Sequence, residues 1–275
     1  MKINTLLTII TLWFFTSCQD DNNITPNSLV TEALQNKYPT AEQIKWDTEK
    51  AYITANFQKD QLIHTAWFDH FGQWYMTEIE LNQKEKLPEA VRSAFEHSEY
   101  KDGRIDDIDL LERLDAENIY VIEVDKDGHE YHLCYSEDGI LVKTILDNEK
   151  DDYEDYLPTD STPKEILAFI EENYPEARIV DIEIEQQYIE VEIIHNQKNK
   201  DVIFNAQKEW TNTHYDIKQT EIEEIVLESI KQSEYQNHKI DDIEKYETPS
   251  GIYYLIEFDE NIKIKIDTNG QIINT

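Results

Sequence analysis

The chain is poor in glycine, cysteine and positive charge, and each shortage excludes a class of function. Six glycines in 275 residues include no glycine-rich phosphate loop. The two cysteines, Cys18 and Cys134, give no zinc-type ligand spacing, and no nucleophile elbow accompanies the scattered serine, histidine and aspartate residues. Lys and Arg number 25 against 59 acids, a formal net charge of −34. That balance argues against nucleic acid, whose phosphates need a basic surface, and against polybasic attachment to anionic lipid. Asp125-Lys126-Asp127-Gly128 begins like a calcium loop, but Ser136 stands where the twelfth position needs a bidentate Glu. The four residues therefore read as a hairpin turn. No cofactor and no metal is expected from spacing.

Aromatic residues are plentiful: 16 Tyr, 9 Phe and 5 Trp. Disordered acidic chains lack them, so a folded protein with acidic faces is expected. The N-terminus reads as a targeting segment, with Lys2 as the basic region and residues 5–15 as an apolar stretch too short to span a bilayer. Thr16-Ser17-Cys18 follows and resembles a bacterial lipobox, with Phe15 where an aliphatic residue is usual. Cys18 is thus the expected lipidation site and membrane anchor, and residues 1–18 the signal peptide. Gln19-Asp20-Asp21 resembles the acidic tag of surface-exposed lipoproteins. The expected location is the outer membrane, facing periplasm or cell surface. With Cys18 lipidated, Cys134 has no disulfide partner and reads as a buried, inert thiol.

Residues 19–27 form a polar tether. Helical spacing begins at Ser28, the expected N-cap, and ends at Pro39. Strands follow, with Lys59-Asp60 as the expected turn between the second and third. A second helix starts near Pro88 and leads to four more strands, with Asp127-Gly128 and Asp138-Gly139 as hairpin turns. Residues 147–163, acidic and proline-containing, read as a linker. Beyond it the pattern recurs. Tyr38, Tyr52, Phe68 and Trp74 reappear 136 residues later as Tyr174, Tyr188, Phe204 and Trp210. Ile105-Asp106-Asp107-Ile108 reappears 135 residues later as Ile240-Asp241-Asp242-Ile243. A weaker repeat inside each half makes four units, 28–81, 86–146, 164–217 and 219–275, grouped into domains 28–146 and 164–275. One unit is small for a core, so two are expected to share each domain.

Tyr38-Pro39-Thr40-Ala41, Tyr174-Pro175-Glu176-Ala177 and the hairpin Phe68-Asp69-His70-Phe71-Gly72-Gln73-Trp74, together with the lipobox, resemble the PepSY-like, beta-lactamase-inhibitor-like domains of Bacteroidetes secreted proteins. The resemblance implies an α+β fold of tandem helix-plus-antiparallel-sheet repeats, no enzymatic activity, and binding or inhibition of other proteins. No family site residue can be transferred, since no contact loop matches.

The expected function is therefore a non-enzymatic envelope lipoprotein that binds a protein or peptide, as a hydrolase inhibitor at its most specific, with glycan or calcium binding as the alternative. Pairing across Lys59-Asp60 places Ile53, Ala55, Phe57 and Phe68 on the helix-covered sheet face. Tyr52, Trp67 and Trp74 then fall on the opposite face, with Tyr188 and Trp210 as their second-half counterparts. These five are the candidate partner-binding residues; the alternative is that they pack between units.

Overall fold

The computed structural model describes residues 24–147, 156–157 and 162–273. Cys18, its signal segment and most of the 147–163 linker lie outside the described residues. The first domain places α1 (Ser28–Lys37) before β1 (Glu42–Glu49), β2 (Tyr52–Lys59), β3 (Leu62–Phe68) and β4 (Trp74–Glu80). Then α2 (Glu89–His97) precedes β5 (Arg104–Arg113), β6 (Ile119–Lys126), β7 (His129–Ser136) and β8 (Leu141–Asp147). The second domain repeats this with α3 (Lys164–Asn173), β9 (Arg178–Ile184), β10 (Tyr188–His195), β11 (Lys198–Asn205) and β12 (Trp210–Asp216). Its last unit is α4 (Glu224–Lys231), β13 (Ile240–Thr248), β14 (Gly251–Phe258), β15 (Ile262–Asp267) and β16 (Ile272–Ile273).

Each domain is one eight-stranded antiparallel sheet in simple chain order. Pairing of β4 with β5, and of β12 with β13, fuses two four-stranded units into that sheet. Short hairpins force this meander, and every helix falls on the same side. Val30 and Leu34 of α1 pack on Ile53, Ala55, Phe57, Ala66 and Phe68; Val91 and Phe95 of α2 pack on Ile108, Ile122 and Leu133. In the second domain α3 and α4 do the same through Ile166, Ile170, Val226 and Ile230. Each such side chain, fully buried, contributes about 1.5–3 kcal/mol against leaving it in water.

The sequence expectations hold for this face, with two local corrections. The α1 N-cap is Asn27, not Ser28: its side-chain oxygen accepts from the Leu29 and Val30 amides at 2.9 and 3.2 Å. The β2–β3 turn is Asp60-Gln61, both at positive φ, so Phe57 faces His64 and Ile53 faces Phe68. The register moves by two residues, and an even shift leaves every side chain on its expected face.

Hairpin geometry explains the recurring motif. In the first copy the Asp69 carboxylate accepts from the Phe71 and Gln73 amides, both at 2.8 Å. Gly72 sits at φ +85°, where an added Cβ would lie 2.7 Å from the Leu29 carbonyl oxygen of α1. In the third copy Lys208 occupies this left-handed position at φ 65°, with its ammonium 3.1 Å from Glu165 of α3. Asp127-Gly128 forms the expected β6–β7 turn, with both residues at positive φ.

Candidate functional site

The five expected binding residues do not form one surface. Trp67 is on the helix-free face as expected, but it is only 1% exposed, and its indole N–H donates to Glu49 at 2.9 Å. Tyr52 packs beside the same cluster, edge-on to Tyr75 at 5.4 Å. Trp74 and Trp210 are on the other face. A β-bulge after Trp67, and another after Ile203, pairs Phe68 with Trp74 and Phe204 with Trp210. The extra residue turns each tryptophan toward the helices. There Trp74 lies under the Lys37 ammonium, 3.4 Å from the ring centroid, and Trp210 stacks on Phe169 at 5.9 Å. Their indole N–H groups donate to Thr77 and Thr213 at 2.8 and 2.9 Å, and Tyr38 and Tyr174 reach the same hydroxyls at 2.7 and 2.6 Å. This threonine node is a duplicated structural device. Only Tyr188, 39% exposed, remains on an open face.

The helix-free faces of the two sheets differ in kind. On the first, Trp67, Met76, Leu111, Ile119, Val121 and Cys134 are buried. Tyr156 and Leu157, from the segment joining the domains, cover this cluster with Val180 and Ile194 of the second domain. The Tyr156 hydroxyl lies 3.3 Å from His132 Nδ1. Burial pushes the Cys134 thiol up to about 12, so it is not a thiolate nucleophile at neutral pH. Polar contacts lock the domain edges: the Arg113 guanidinium donates to the Glu117 and Val180 carbonyls at 2.7 Å, and Arg178 bridges Glu117 and Asp138 at 2.6 and 2.9 Å.

On the second sheet the register-equivalent positions read Ile203, Asn212, Tyr246, Tyr253, Leu255 and Lys265, all half-buried. An aromatic ladder crosses the strands here. His214 stacks on Tyr246 at 4.9 Å, Tyr246 on Tyr253 at 4.8 Å, and the Lys265 ammonium lies 3.6 Å from the Tyr253 ring centroid. Beside the ladder a recess of about 200 Å³ is lined by Asp181, Glu183, Glu190, Glu192 and Asp201, with Lys143 reaching in from β8. Burial pushes Glu192 up to about 7 against the opposing hydrogen bond from Asn199, and Asp201 up to about 6. Glu190 is raised by burial too.

Two groups of described residues bring possible metal-ligand atoms within 4.8 Å of one another: Glu123, Glu130 and His132 on the first sheet, and Asp216, Asp242 and Glu244 on the second. The ladder and the recess were missed in the sequence because their residues come from distant strands. One signal was available there: Met76, Leu111 and Cys134 become Asn212, Tyr246 and Lys265 in the second half.

The sequence model of the family described as "Putative beta-lactamase-inhibitor-like, PepSY-like" matches residues 50–143, 148–200 and 187–274. The chain therefore belongs to this PepSY-like family. It is similar to a BLIP-like protein from Bacteroides fragilis NCTC 9343 at 32% identity and TM-score 0.45, the match covering 51% of this chain and 95% of that one. A DUF2874 family protein from Bacteroides ovatus ATCC 8483 is 30% identical with TM-score 0.45, covering 47% of this chain and 94% of that one. A protein from Bacteroides eggerthii DSM 20697, described as "putative periplasmic", is 25% identical with TM-score 0.45 over 47% and 95%. No curated protein matches.

Proposed function

We propose that this chain is a non-enzymatic binding protein of the cell envelope, anchored through lipid on Cys18, whose helix-free second sheet docks a protein or peptide segment bearing Lys or Arg. The carrying observation is the contrast between the two halves. One helix-free face is apolar and covered, while its duplicate presents stacked Tyr246 and Tyr253 beside a carboxylate-lined recess. Aromatic rings supply contact area at low entropic cost. Glu190, Glu192 and Asp201 supply the charge that a guanidinium or ammonium would neutralise, and Tyr188 extends the surface at its edge. Trp67, Trp74, Trp210 and Tyr52 act in folding under this reading.

The test is a photo-crosslinker at position 253 of the anchored protein. A discrete adduct should form, be competed by a Lys/Arg-rich peptide, and vanish in Tyr246→Ala/Glu192→Gln at unchanged circular dichroism. An adduct indifferent to that variant and to the peptide would overturn the docking surface. Labelled fatty acid retained by Cys18→Ser would overturn the anchor.

A further inference from the structure

We propose that each sheet holds a divalent, oxygen-seeking cation of the Ca²⁺ class between its fourth, fifth and sixth strands. The residues are Glu80, Asp107, Asp109 and Glu123 in the first domain and Asp216, Asp242, Glu244 and Glu257 in the second. Cross-strand register brings them together. Glu80 is directly opposite Asp109, and Asp107 opposite Glu123. At the same places in the second sheet Asp216 is opposite Glu244, and Asp242 opposite Glu257. Like charges directly opposite on a sheet are destabilising, yet both copies carry two such pairs at one register while the apolar positions beside them diverged. All four pairs lie on the helix-free faces.

The second observation concerns Asp109. It is 1% exposed, and neither carboxylate oxygen has a hydrogen-bond partner. A buried polar group left unsatisfied is costly, and around Asp109 stand the acids Glu78, Glu80, Asp107 and Glu123. A cation among these oxygens would partner Asp109 and remove the repulsion. In the second domain oxygens of Asp216, Asp242 and Glu244 already lie within 4.8 Å of one another. Carboxylate-only donors on three strands suit Ca²⁺, which accepts irregular oxygen geometry, better than Mg²⁺, which demands an octahedron. His132, with Nε2 3.9 Å from Glu123, lies at the edge of the first group and could recruit a softer ion. Such a site leaves no spacing signature, because its ligands are scattered over more than forty residues in each half.

The experiment is calorimetric titration of the EDTA-stripped full chain with CaCl₂, with MgCl₂ and ZnCl₂ as parallel arms. Two equivalents of Ca²⁺ should bind, raising Tm by about 5 °C at ~100-fold excess over Kd. Asp109→Asn should bind one equivalent, and so should Asp216→Asn/Glu244→Gln, whose changes lie away from the first core. Glu190→Gln, acidic but outside both groups, should keep two. Absence of saturable heat and of a Tm rise at millimolar CaCl₂ would overturn the proposal. Two equivalents retained by either site variant would overturn the site in that domain, and preferential Zn²⁺ binding would overturn the ion class.

Discussion

The threonine node shows how one small side chain can carry two large ones. Thr77 accepts from both Tyr38 and Trp74, and Thr213 binds Tyr174 and Trp210 in the same way. Thr77→Val keeps the shape but strands two donors in a buried place. It should lower unfolding free energy by about 1–3 kcal/mol, read from urea midpoints, with Thr213→Val similar in direction. Asp109 gives a pH prediction at the same scale. Burial, reinforced by Glu78, Asp107, Glu123 and Glu80, pushes its carboxyl up to about 9. Its folded-state affinity for the proton thus exceeds that of the unfolded chain. The folded state binds more protons between the ordinary aspartate range and about 9, so stability falls as pH rises through that window. In EDTA, the urea midpoint of the wild type should drop more between those limits than that of Asp109→Asn. Equal drops would show that Asp109 is not the group responsible.

At the level of elements, the four helices and the order of strands were legible because their signals are local. Apolar residues recur at helical spacing, Gly and Asn mark the hairpins, and the offset of 136 residues repeats them. The faces of β2 and β3 were legible for the same reason, since a two-residue register shift preserves alternation. Trp74 and Trp210 were not. A single bulged residue beside each inverts the face, and bulges have no fixed sequence mark. The burial of Trp67 was also hidden, because its cover comes from Tyr156, Leu157, Val180 and Ile194, all more than eighty residues away. The hairpin-to-helix contact gives an element-scale prediction. Gly72→Ala forces a methyl group against the Leu29 carbonyl at positive φ and should cost about 1–3 kcal/mol. Lys208→Gly relieves the same backbone conformation and gives up only an exposed ion pair with Glu165, so it should be neutral or stabilising by up to about 1 kcal/mol. Thermal melts of the two variants would separate them in opposite directions.

Across the whole molecule, duplication has given one copy the task of support and left the other open. Arg113 is central to that division. Its guanidinium is buried at the junction, and burial lowers its pKa despite the acids nearby. It spans from the Glu117 carbonyl of its own domain to the Val180 carbonyl of the next. The register-equivalent residue in the second half is Thr248, so this joint is not inherited from the repeat. Removing a buried cation's hydrogen bonds also leaves two carbonyls without their donors, a loss of about 3–5 kcal/mol. Arg113→Ala should therefore loosen the cover of Tyr156 and Leu157 along with the domain contact. Calorimetric unfolding should pass from one transition to two, and limited proteolysis should cut between positions 147 and 163 faster than in the wild type. If the domains instead unfold together and the junction stays protected, the apolar cluster around Trp67 alone holds them. The open second sheet would then owe nothing of its placement to the arginine joint.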